Sequence, residues 1–434
     1  MNAVGIIAEF NPFHEGHAEH LRETKKISGR EKIIAAMSGN FVQRGEPAIV
    51  DKFLRTKMAL VSGVDVVIEI PVPYVLCGAD FFARAGVGLL AATGVVDALS
   101  FGSESGDIDA IKTAARVLAE EPDAYKKILH EELSRGKSFA AARGNALRET
   151  CGNDDEVGKD ENFFTKPNNT LAMEYCKALQ LLKSPMEVFT THRKSGGASA
   201  TKIRKMLLSH EKNFYEENFS ACEISKEKNF SSYEIFENLS EKNFLPREIF
   251  EILREKNFLP LEEKISSHEK NFCEKYFTSR EKKFVTLDDF SEIFRFVLFS
   301  RNFILGEGLE NRFKKFCGDF DKISDFVAAV KTKRYTHTRL QRAVLRVILG
   351  IDAPVGDPQY IRVLGFRRES ADLLGEITKK AALPVITNGA AIDEIFSRCG
   401  DMLAKEFEAG DIFRCVSGAR GGFRSERAAQ IVIV

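Results

Sequence analysis

GIIAEFNPFHEGH, residues 5–17, joins an apolar run, a short turn and the start of a polar helix in direct succession. The apolar run begins at residue 3 and predicts a buried strand over 3–9, and the stretch that follows predicts a helix over 17–26. Gly16 lies between His14 and His17, where this helix would begin. Helix N-termini bind phosphate through free backbone N–H groups and the helix dipole, and glycine lets the anion approach closely. The stretch therefore predicts a phosphate site after the first strand.

Two imidazoles three residues apart suit the chemistry of nucleotidyl transfer. Their N–H groups can donate to oxygens of an α- or β-phosphate, on which charge grows in the transition state. We therefore predict that His14 and His17 are catalytic. His20 continues the series, so a metal-binding face or a polar surface is the alternative. A zinc site would draw further ligands from cysteine or carboxylate, and only Glu15 and Glu19 are near in sequence.

Short apolar runs alternate with helical patterns through the first two hundred residues. Strands are predicted over 32–37, 65–70, 97–101 and 188–191, and helices over 48–61, 79–92 and 108–147. Near-continuous apolar strands are typical of a parallel sheet covered on both faces. We expect an α/β fold: an N-terminal domain with a Rossmann-like, doubly wound parallel sheet of the HxGH nucleotidyltransferase type, followed by a mostly helical remainder.

Polar residues follow the carboxyl ends of these strands. They are His14 and His17 after the first, Gly39 and Asn40 after the second, Gly102 and Ser103 after the fourth, and Arg193 after the fifth. These ends face one crevice in a doubly wound sheet, so the residues should converge there. Ser199 and Thr201 at a predicted helix start, with Arg204 one turn further, predict a second phosphate-binding element. An ordinary helix cap is the alternative for this element.

Composition limits the class of protein. A chain of 434 residues predicts more than one domain, and 63 basic against 63 acidic side chains mean that any nucleic-acid surface is local. The eight cysteines are scattered without a CxxC pair, which indicates reduced thiols. The sequence has no signal-peptide pattern and no apolar stretch of roughly 20 residues. We expect a cytoplasmic enzyme that does not associate with membranes, and we infer no protein partner.

We expect three regions: an ATP-binding domain over 1–209, a repeat segment over 210–286 and a helical or mixed C-terminal domain over 287–434. EKNF begins at residues 211, 227, 241, 255 and 269, and EKKF begins at 281. A 14-residue step is compatible with stacked helices, but the polar composition also fits disorder. We predict a tolerated insertion, joined to the rest only by chain connectivity, whose removal leaves ATP binding intact.

A basic window, KTKRYTHTRLQRAVLR at 331–346, opens the predicted C-terminal domain and contains no acidic residue. Its cations are Lys331, Lys333, Arg334, Arg339, Arg342 and Arg346, with Tyr335 and His337 between them. This composition suits phosphate contacts and base stacking, and a solvated helix face is the alternative. We expect the window to bind RNA and to take no part in the chemistry at the nucleotide.

Seven motifs together resemble one known family, the bacterial tRNA(Met) cytidine acetate ligases. They are GIIAEFNPFHEGH, MSGNFVQRGEPAIVDKFLRTKMAL, SGVDVVIEIP, FGSESGD, KPNNTLAMEY, ASATKIR and KTKRYTHTRLQR, in the family's order. The resemblance covers residues 1–208 and resumes over 331–366, whereas the repeat segment departs from the family pattern. It implies an enzyme that activates acetate with ATP and acetylates N4 of the wobble cytidine of elongator tRNA(Met).

The resemblance also implies positions for ATP, which would contact Gly102, Asn168 and Arg193 besides one continuous run. That run is Ile7, Ala8, Glu9, Phe10, Asn11, Pro12, Phe13, His14, Glu15, Gly16, His17, Ala18, Glu19 and His20. A magnesium ion would accompany the nucleotide, and Lys331, Lys333, Arg334, Arg339 and Arg342 would contact tRNA.

Two other functions remain open from the sequence: a small-molecule adenylyltransferase, and a non-catalytic, nucleotide-dependent RNA-binding protein. Spacing does not locate the acetate pocket. Asn40, Gln43 and Arg44 are candidates because they follow the second strand.

Overall fold

The computed structural model of the chain describes residues 2–151, 162–193, 199–219, 246, 249, 252, 284–306, 308–318, 320–333, 335–351, 356–417 and 425–434. Cys222 and Cys273, Arg334 and most of the repeat segment lie outside these residues. Five of the other cysteines, Cys77, Cys176, Cys317, Cys399 and Cys415, are free. No helix within the described residues is long and apolar enough to cross a membrane.

Five parallel strands form the centre of the fold, as the apolar runs predict. In chain order the first strands are β1 (Ala3–Ala8), β2 (Lys32–Ser38), the short hairpin β3 (Phe41–Val42) and β4 (Glu46–Pro47), β5 (Val66–Ile70), β6 (Val96–Ser103) and β7 (Glu187–His192). Their order in the sheet is β5-β2-β1-β6-β7, and all these neighbours are parallel. The doubly wound sheet is thereby confirmed. The direction of winding reverses between β1 and β6, which is where such folds form a binding crevice.

The sheet is not confined to the predicted first domain. Strands β8 (Ile361–Phe366), β9 (Val385–Ile386) and β10 (Val432–Ile433) extend it beyond β5. β8 is antiparallel to β5, so the sheet is mixed, and β9 and β10 are each parallel to β8. The short apolar run at 361–364 is compatible with a strand, but an apolar pattern does not identify which edge it will pair with. The boundary at residue 287 therefore runs through one continuous sheet.

Nine helices are described in the first half of the chain. They are α1 (Glu15–Ser28), α2 (Lys52–Val61), α3 (Val72–Val75), α4 (Ala79–Ala92), α5 (Ile108–Glu120), α6 (Asp123–Ser134), α7 (Phe139–Cys151), α8 (Pro167–Leu181) and α9 (Ala200–Phe219). α2 begins four residues later than predicted because Asp51 caps it, accepting N–H bonds from Phe53 and Leu54.

The remainder is largely helical, as predicted. Its described helices are α10 (Ser291–Ser300), α11 (Leu309–Lys315), α12 (Ile323–Val330), α13 (His337–Leu349), α14 (Ala371–Lys380) and α15 (Gly389–Ser417). Phe294 at the centre of α10 contacts Phe313, Phe320 and Phe326, with ring centroids 5.0 to 6.2 Å apart. This aromatic core is separate from the two cores that cover the faces of the sheet.

The repeat segment contributes residues to the core of the nucleotide domain, which corrects the expectation that only chain connectivity crosses it. Ile249, Ile252 and Phe284 are all buried and pack with Ile203 and Leu207 of α9. These three apolar side chains lie inside or beside the EKNF pattern, whose polar composition conceals them. A deletion of 211–284 would remove them and open the core beneath α9.

A buried cluster of charged residues joins the C-terminal elements to the sheet. Lys52 is fully buried, and its Nζ lies 2.5 Å from Glu69, 2.7 Å from Glu426 and 3.4 Å from Glu406. Arg362 of β8 binds Glu69 at 3.0 Å and Glu426 at 2.9 Å. Burial, and then the neighbouring Glu69 carboxylate, raise the pKa of Glu406 to about 8. The cluster fixes α2, β5, β8 and α15 to one another.

Candidate functional site

The turn between β1 and α1 is held from below by buried polar side chains. Arg55 donates from Nη1 to the carbonyl oxygen of Glu9 at 2.5 Å and also contacts the carbonyls of Ser38 and Gly39. Asn11 accepts the Ile49 N–H through Oδ1 at 2.8 Å. Phe10 has a φ of 46°, a left-handed conformation that is rare for a non-glycine residue. These contacts fix the backbone that precedes the first turn of α1.

His14 and His17 lie together at the N-terminus of α1, as predicted. Their rings stack with centroids 3.7 Å apart, and the His14 backbone N–H donates to Nδ1 of His17 at 3.2 Å. Burial, followed by the charge of Arg193, lowers the pKa of His14 to about 4. Burial and then His14 lower the pKa of His17 well below its usual value. Both imidazoles are therefore neutral at pH 7. Because Nδ1 of His17 accepts a hydrogen bond, its proton lies on Nε2, which is a donor.

His20 is bonded to the neighbouring strand β7. Its Nδ1 lies 2.8 Å from Oγ1 of Thr191 on β7. Burial and then Arg193 lower the pKa of His20 to about 4. Among the residues described, no group of three or more His, Cys, Asp or Glu side chains is arranged to hold a metal ion. In contrast, the buried Nδ1 of His14 has no hydrogen-bond partner within the described part of the chain.

Gly102, Asn168 and Arg193 converge beside the histidines. Arg193 donates from Nη1 to Oδ1 of Asn168 at 2.9 Å, and its backbone N–H donates to the Ser103 carbonyl at 2.9 Å. A Cβ atom added at Gly102 would lie only 3.1 Å from Cγ of Arg193, so glycine allows the arginine to cross the end of β6. Asn168 in turn donates from Nδ2 to Glu104 at 2.6 Å.

The start of α9 adds a second helix N-terminus at the same place. Ser199 caps the helix by accepting the Lys202 N–H at 3.2 Å. Arg204 donates from Nη1 to the Asn11 carbonyl at 2.8 Å and lies 3.7 Å from Glu46. The predicted elements at α1 and α9 are thus bonded to each other through Asn11. Whether Ser199, Thr201 and Arg204 contact phosphate stays a prediction.

One cleft of about 2340 Å³ contains most of the predicted residues. The members of the β1–α1 run that line it are Ile7, Ala8, Glu9, Phe10, Asn11, His14, Glu15, Gly16, His17, Glu19 and His20, and it also reaches Gly102, Asn168, Arg193, Ser199, Thr201 and Arg204. Pro12, Phe13 and Ala18 do not line it: all three are buried, and Phe13 and Ala18 pack in the core. A continuous run of positions cannot all face one ligand, because side chains of a turn and a helix point in several directions.

The structure divides the basic window into two parts. Arg339, Arg342 and Arg346 lie at helical spacing on α13 and line the cleft, with Arg339 stacked 5.3 Å over the Tyr335 ring. Lys331 and Lys333 precede the helix, are exposed and do not line the cleft. The three arginines therefore line the same cleft as His14 and His17, whereas the two lysines do not. That the window binds RNA and takes no part in the chemistry at the nucleotide stays a prediction.

The hairpin β3–β4 lies between α13 and the β1–α1 turn. Glu9 accepts the Gln43 N–H through Oε1 at 2.7 Å, and Arg342 donates from Nη1 to the Gln43 carbonyl at 2.9 Å. Gln43 and Arg44 line the cleft. Asn40 does not, because it is buried and its Oδ1 accepts the Lys52 N–H at 2.9 Å. Asn40 is thereby removed from the candidates for the acetate pocket.

Sequence reasoning missed Glu104 and the hairpin. Glu104 accepts backbone N–H bonds from Asn168 and Asn169, so it aligns the start of α8 with the end of β6. It lies in the FGSESGD motif, which was a signal for this position. The turn residue Gly45 was the signal for the hairpin.

Comparisons with known proteins agree with this arrangement. The HIGH nucleotidyl transferase family model matches residues 1–424 and so spans the repeat segment. A tRNA(Met) cytidine acetate ligase of Thermoanaerobacter sp. (strain X514) is 36% identical over 432 residues, with 95% of each chain covered. Another, from Acetivibrio thermocellus, is 34% identical, with 94% of this chain and 92% of the relative covered.

Solved structures also match over the full length. TmcAL of Thermotoga maritima bound with alpha-thio ATP superposes with a TM-score of 0.80 at 31% identity and covers 100% of both chains. The apo form of the same protein superposes with a TM-score of 0.75 and covers 99% of this chain and 97% of that one.

Proposed function

The chain belongs to the tRNA(Met) cytidine acetate ligases of the HIGH nucleotidyl transferase family, and from that premise we propose its reaction. It activates acetate with ATP and transfers the acetyl group to N4 of the wobble cytidine of elongator tRNA(Met). A tRNA substrate, together with the scattered cysteines, favours the cytoplasm as the place of reaction.

The observation that carries the proposal is a single cleft with two kinds of wall. One wall holds the helix N-termini of α1 and α9 with His14 and His17, which suits a triphosphate. Another part of the lining holds the arginines of α13, which suit the backbone of a nucleic acid. The cleft of about 2340 Å³ exceeds the roughly 300–1,000 Å³ of an ordinary small-molecule site, so it has room for ATP and a second nucleotide.

In the first step a carboxylate oxygen of acetate attacks the α-phosphorus of ATP, and the bond to the β-phosphate oxygen breaks to release pyrophosphate. Charge grows on the phosphate oxygens as this bond breaks. The Nε2–H of His17 and the N-terminal N–H groups of α1 donate to these oxygens, and Arg193 and Arg204 supply positive charge. The protein contributes position and charge and needs no covalent nucleophile.

In the second step N4 of the cytidine attacks the acetyl carbon of acetyl-adenylate, AMP leaves, and N4 loses a proton. The geometry requires the anticodon base to enter the same cleft as the nucleotide. Arg339, Arg342 and Arg346 of α13 are suited to accompany it, and Lys331 and Lys333 to contact phosphates outside the cleft.

A magnesium ion on the nucleotide remains part of the proposal. The described residues form no cluster of three metal-binding side chains, so this part of the chain offers no dedicated cage. This donor set fits an ion held mainly by triphosphate oxygens and water, with at most one or two protein carboxylates. Glu15, half-buried at the start of α1 and lining the cleft, is the carboxylate nearest in sequence to the histidines. It is bonded to Arg22 at 2.8 Å, so an ion there would compete with that contact.

Exchange of labelled pyrophosphate into ATP tests the proposal. We expect exchange that requires acetate and does not require tRNA. Labelled acetate should then enter wild-type tRNA(Met) transcripts but not matched transcripts with uridine at the wobble position. Exchange that depends on a different small acceptor would indicate a small-molecule adenylyltransferase. Binding of ATP and tRNA without any exchange would indicate a non-catalytic RNA-binding protein.

A further inference from the structure

The tip of the β3–β4 hairpin, residues 43–45, is fixed on both sides. Gln43 donates its N–H to Glu9 in the β1–α1 turn at 2.7 Å, and its carbonyl accepts from Arg342 of α13 at 2.9 Å. Gly45 has a φ of +80°, and a Cβ atom there would lie 2.5 Å from the Arg342 backbone nitrogen. The hairpin tip therefore packs closely against α13, and Arg44 is presented from a turn that is bonded on both sides.

Arg44 differs from the other arginines of the cleft wall. Within the described residues it forms no hydrogen bond or ion pair, and it is exposed in the cleft. The others are engaged: Arg143 with Glu174, Arg193 with Asn168, Arg204 with Asn11 and Glu46, Arg339 with the Tyr335 ring, Arg342 with Gln43 and Arg346 with the Ile351 carbonyl. Arg44 alone among these arginines keeps its whole guanidinium available for a ligand.

The position of Arg44 suits a small carboxylate. Burial raises the pKa of Glu9, and the positive charge of Arg44 opposes this rise. Burial lowers the pKa of Arg204, and the positive charge of Arg44 lowers it further. Arg44 therefore acts at short range on the β1–α1 turn and on the start of α9, the two elements proposed to hold phosphate. Acetate must approach an anionic triphosphate at this point, and only a cation can offset the repulsion.

We propose that Arg44 binds the carboxylate of acetate during its activation and that Arg342 is a positioning residue, which acts through the Gln43 carbonyl. This assignment rests on the proposed function. The planar guanidinium of Arg44 matches a carboxylate with two parallel N–H bonds. One acetate oxygen remains oriented toward the α-phosphorus, forms the new P–O bond and displaces pyrophosphate. Arg44 neither gains nor loses a proton in this step.

Steady-state pyrophosphate exchange without tRNA tests the assignment, with acetate and ATP varied separately. Arg44→Ala should raise the acetate KM about 10- to 100-fold, the loss expected for one charged hydrogen-bonding partner, and change the ATP KM less than about threefold. Arg44→Lys keeps the charge but not the paired geometry and should lie between these values. Arg116→Ala, which removes an exposed cation from α5 away from the cleft, is the matched control.

A double-mutant cycle tests the part played by Arg342. Arg342→Ala should also raise the acetate KM, because the hairpin tip loses one of its two supports. In the Arg44→Ala enzyme the same substitution should raise the acetate KM little further, since a positioning residue has no effect once the residue it positions is gone. Fully additive effects on the acetate KM would overturn the positioning role of Arg342.

Four results would overturn the assignment of Arg44. An Arg44→Ala enzyme with a normal acetate KM would overturn it and leave the proposed function intact. A raised ATP KM with a normal acetate KM would make Arg44 a phosphate contact, and weakened tRNA binding with normal exchange would make it an RNA contact. Wild-type exchange that does not require acetate would overturn the proposed function and this assignment together.

Discussion

His17 has two separable contacts, so two substitutions can divide its structural role from its catalytic one. Its Nδ1 accepts the His14 N–H at 3.2 Å, which leaves the ring proton on Nε2, and the residue lines the cleft, where we propose that Nε2–H acts as a donor. In His17→Asn the side-chain oxygen can replace Nδ1, but nothing reaches the position of Nε2. In His17→Gln the amide nitrogen reaches the position of Nε2, but the contact with His14 is lost.

The structure gives the size of both effects. Both variants lose the ring contacts of His17 with Phe10 at 5.1 Å and Phe13 at 5.4 Å. At about 0.5–1.5 kcal/mol for each contact, the free energy of unfolding should fall by roughly 1–3 kcal/mol in both. A typical domain has about 5–15 kcal/mol, so both should remain folded. Loss of the donor in His17→Asn should slow adenylate formation by about 10²- to 10³-fold.

Single-turnover formation of acetyl-adenylate without tRNA measures the rate, and urea unfolding measures stability. We expect His17→Gln to be at least about tenfold faster than His17→Asn, although it loses the bond to the His14 N–H and should be less stable than His17→Asn by about 1 kcal/mol. Equal rates in the two variants would refute the assignment of Nε2 as the donor. A wild-type rate in His17→Asn would remove His17 from the site.

Lys52→Met should lower the free energy of unfolding by about 3–5 kcal/mol, because it leaves buried carboxylates without their shared cation; a loss below about 1 kcal/mol in urea unfolding would contradict this. Ile249→Ala should cost about 2–5 kcal/mol in the same measurement if the residue packs beneath α9, whereas a removable segment would show no loss. Replacing Lys331 and Lys333 with Ala should weaken tRNA binding more than pyrophosphate exchange and flatten the log-log salt dependence by about one unit per lost phosphate contact; unchanged binding at every salt concentration would place the RNA surface elsewhere. The pKa of His14 is about 4 in the folded protein and 6.5 in the unfolded chain. Between these two pH values only the unfolded chain binds the proton. The folded state therefore has its full stability above pH 6.5 and loses this contribution as the pH falls toward 4. His14→Asn, which keeps a capping side chain, should lose up to ~3 kcal/mol of this pH dependence, and parallel pH profiles for the two proteins would contradict the shift.

The sequence predicts the centre of the fold well because its strands are continuous apolar runs. The parallel strands from β1 to β7 appear where those runs lie, and His14 and His17 follow β1 because a helix start follows the run directly. What it does not predict is long-range pairing. Nothing in the apolar run of β8 indicates that β5 is its partner, because any exposed strand edge offers the same hydrogen-bonding groups.

Part of the site is also absent from local patterns. The motif predicts that all residues from 7 to 20 contact one ligand. Phe13 and Ala18 instead pack in the core, because the side chains of a turn and a helix point in several directions. The basic window likewise divides because α13 begins only at His337: the helix that contacts Gln43 carries the three arginines, and the two lysines precede it. Composition identifies such cations but does not indicate which of them are turned inward.

The antiparallel pairing of β8 with β5 has a consequence for the order of folding. Residues 66–69 find their partners at 362–366, almost three hundred positions later in the chain. A ribosome adding about 5–20 residues each second would leave the β5 edge open for roughly 15–60 s. During that time the edge exposes unpaired N–H and C=O groups, which is the feature that recruits foreign strands. The nascent protein is therefore most exposed to misassembly after its nucleotide-binding half has been made and before β8 emerges.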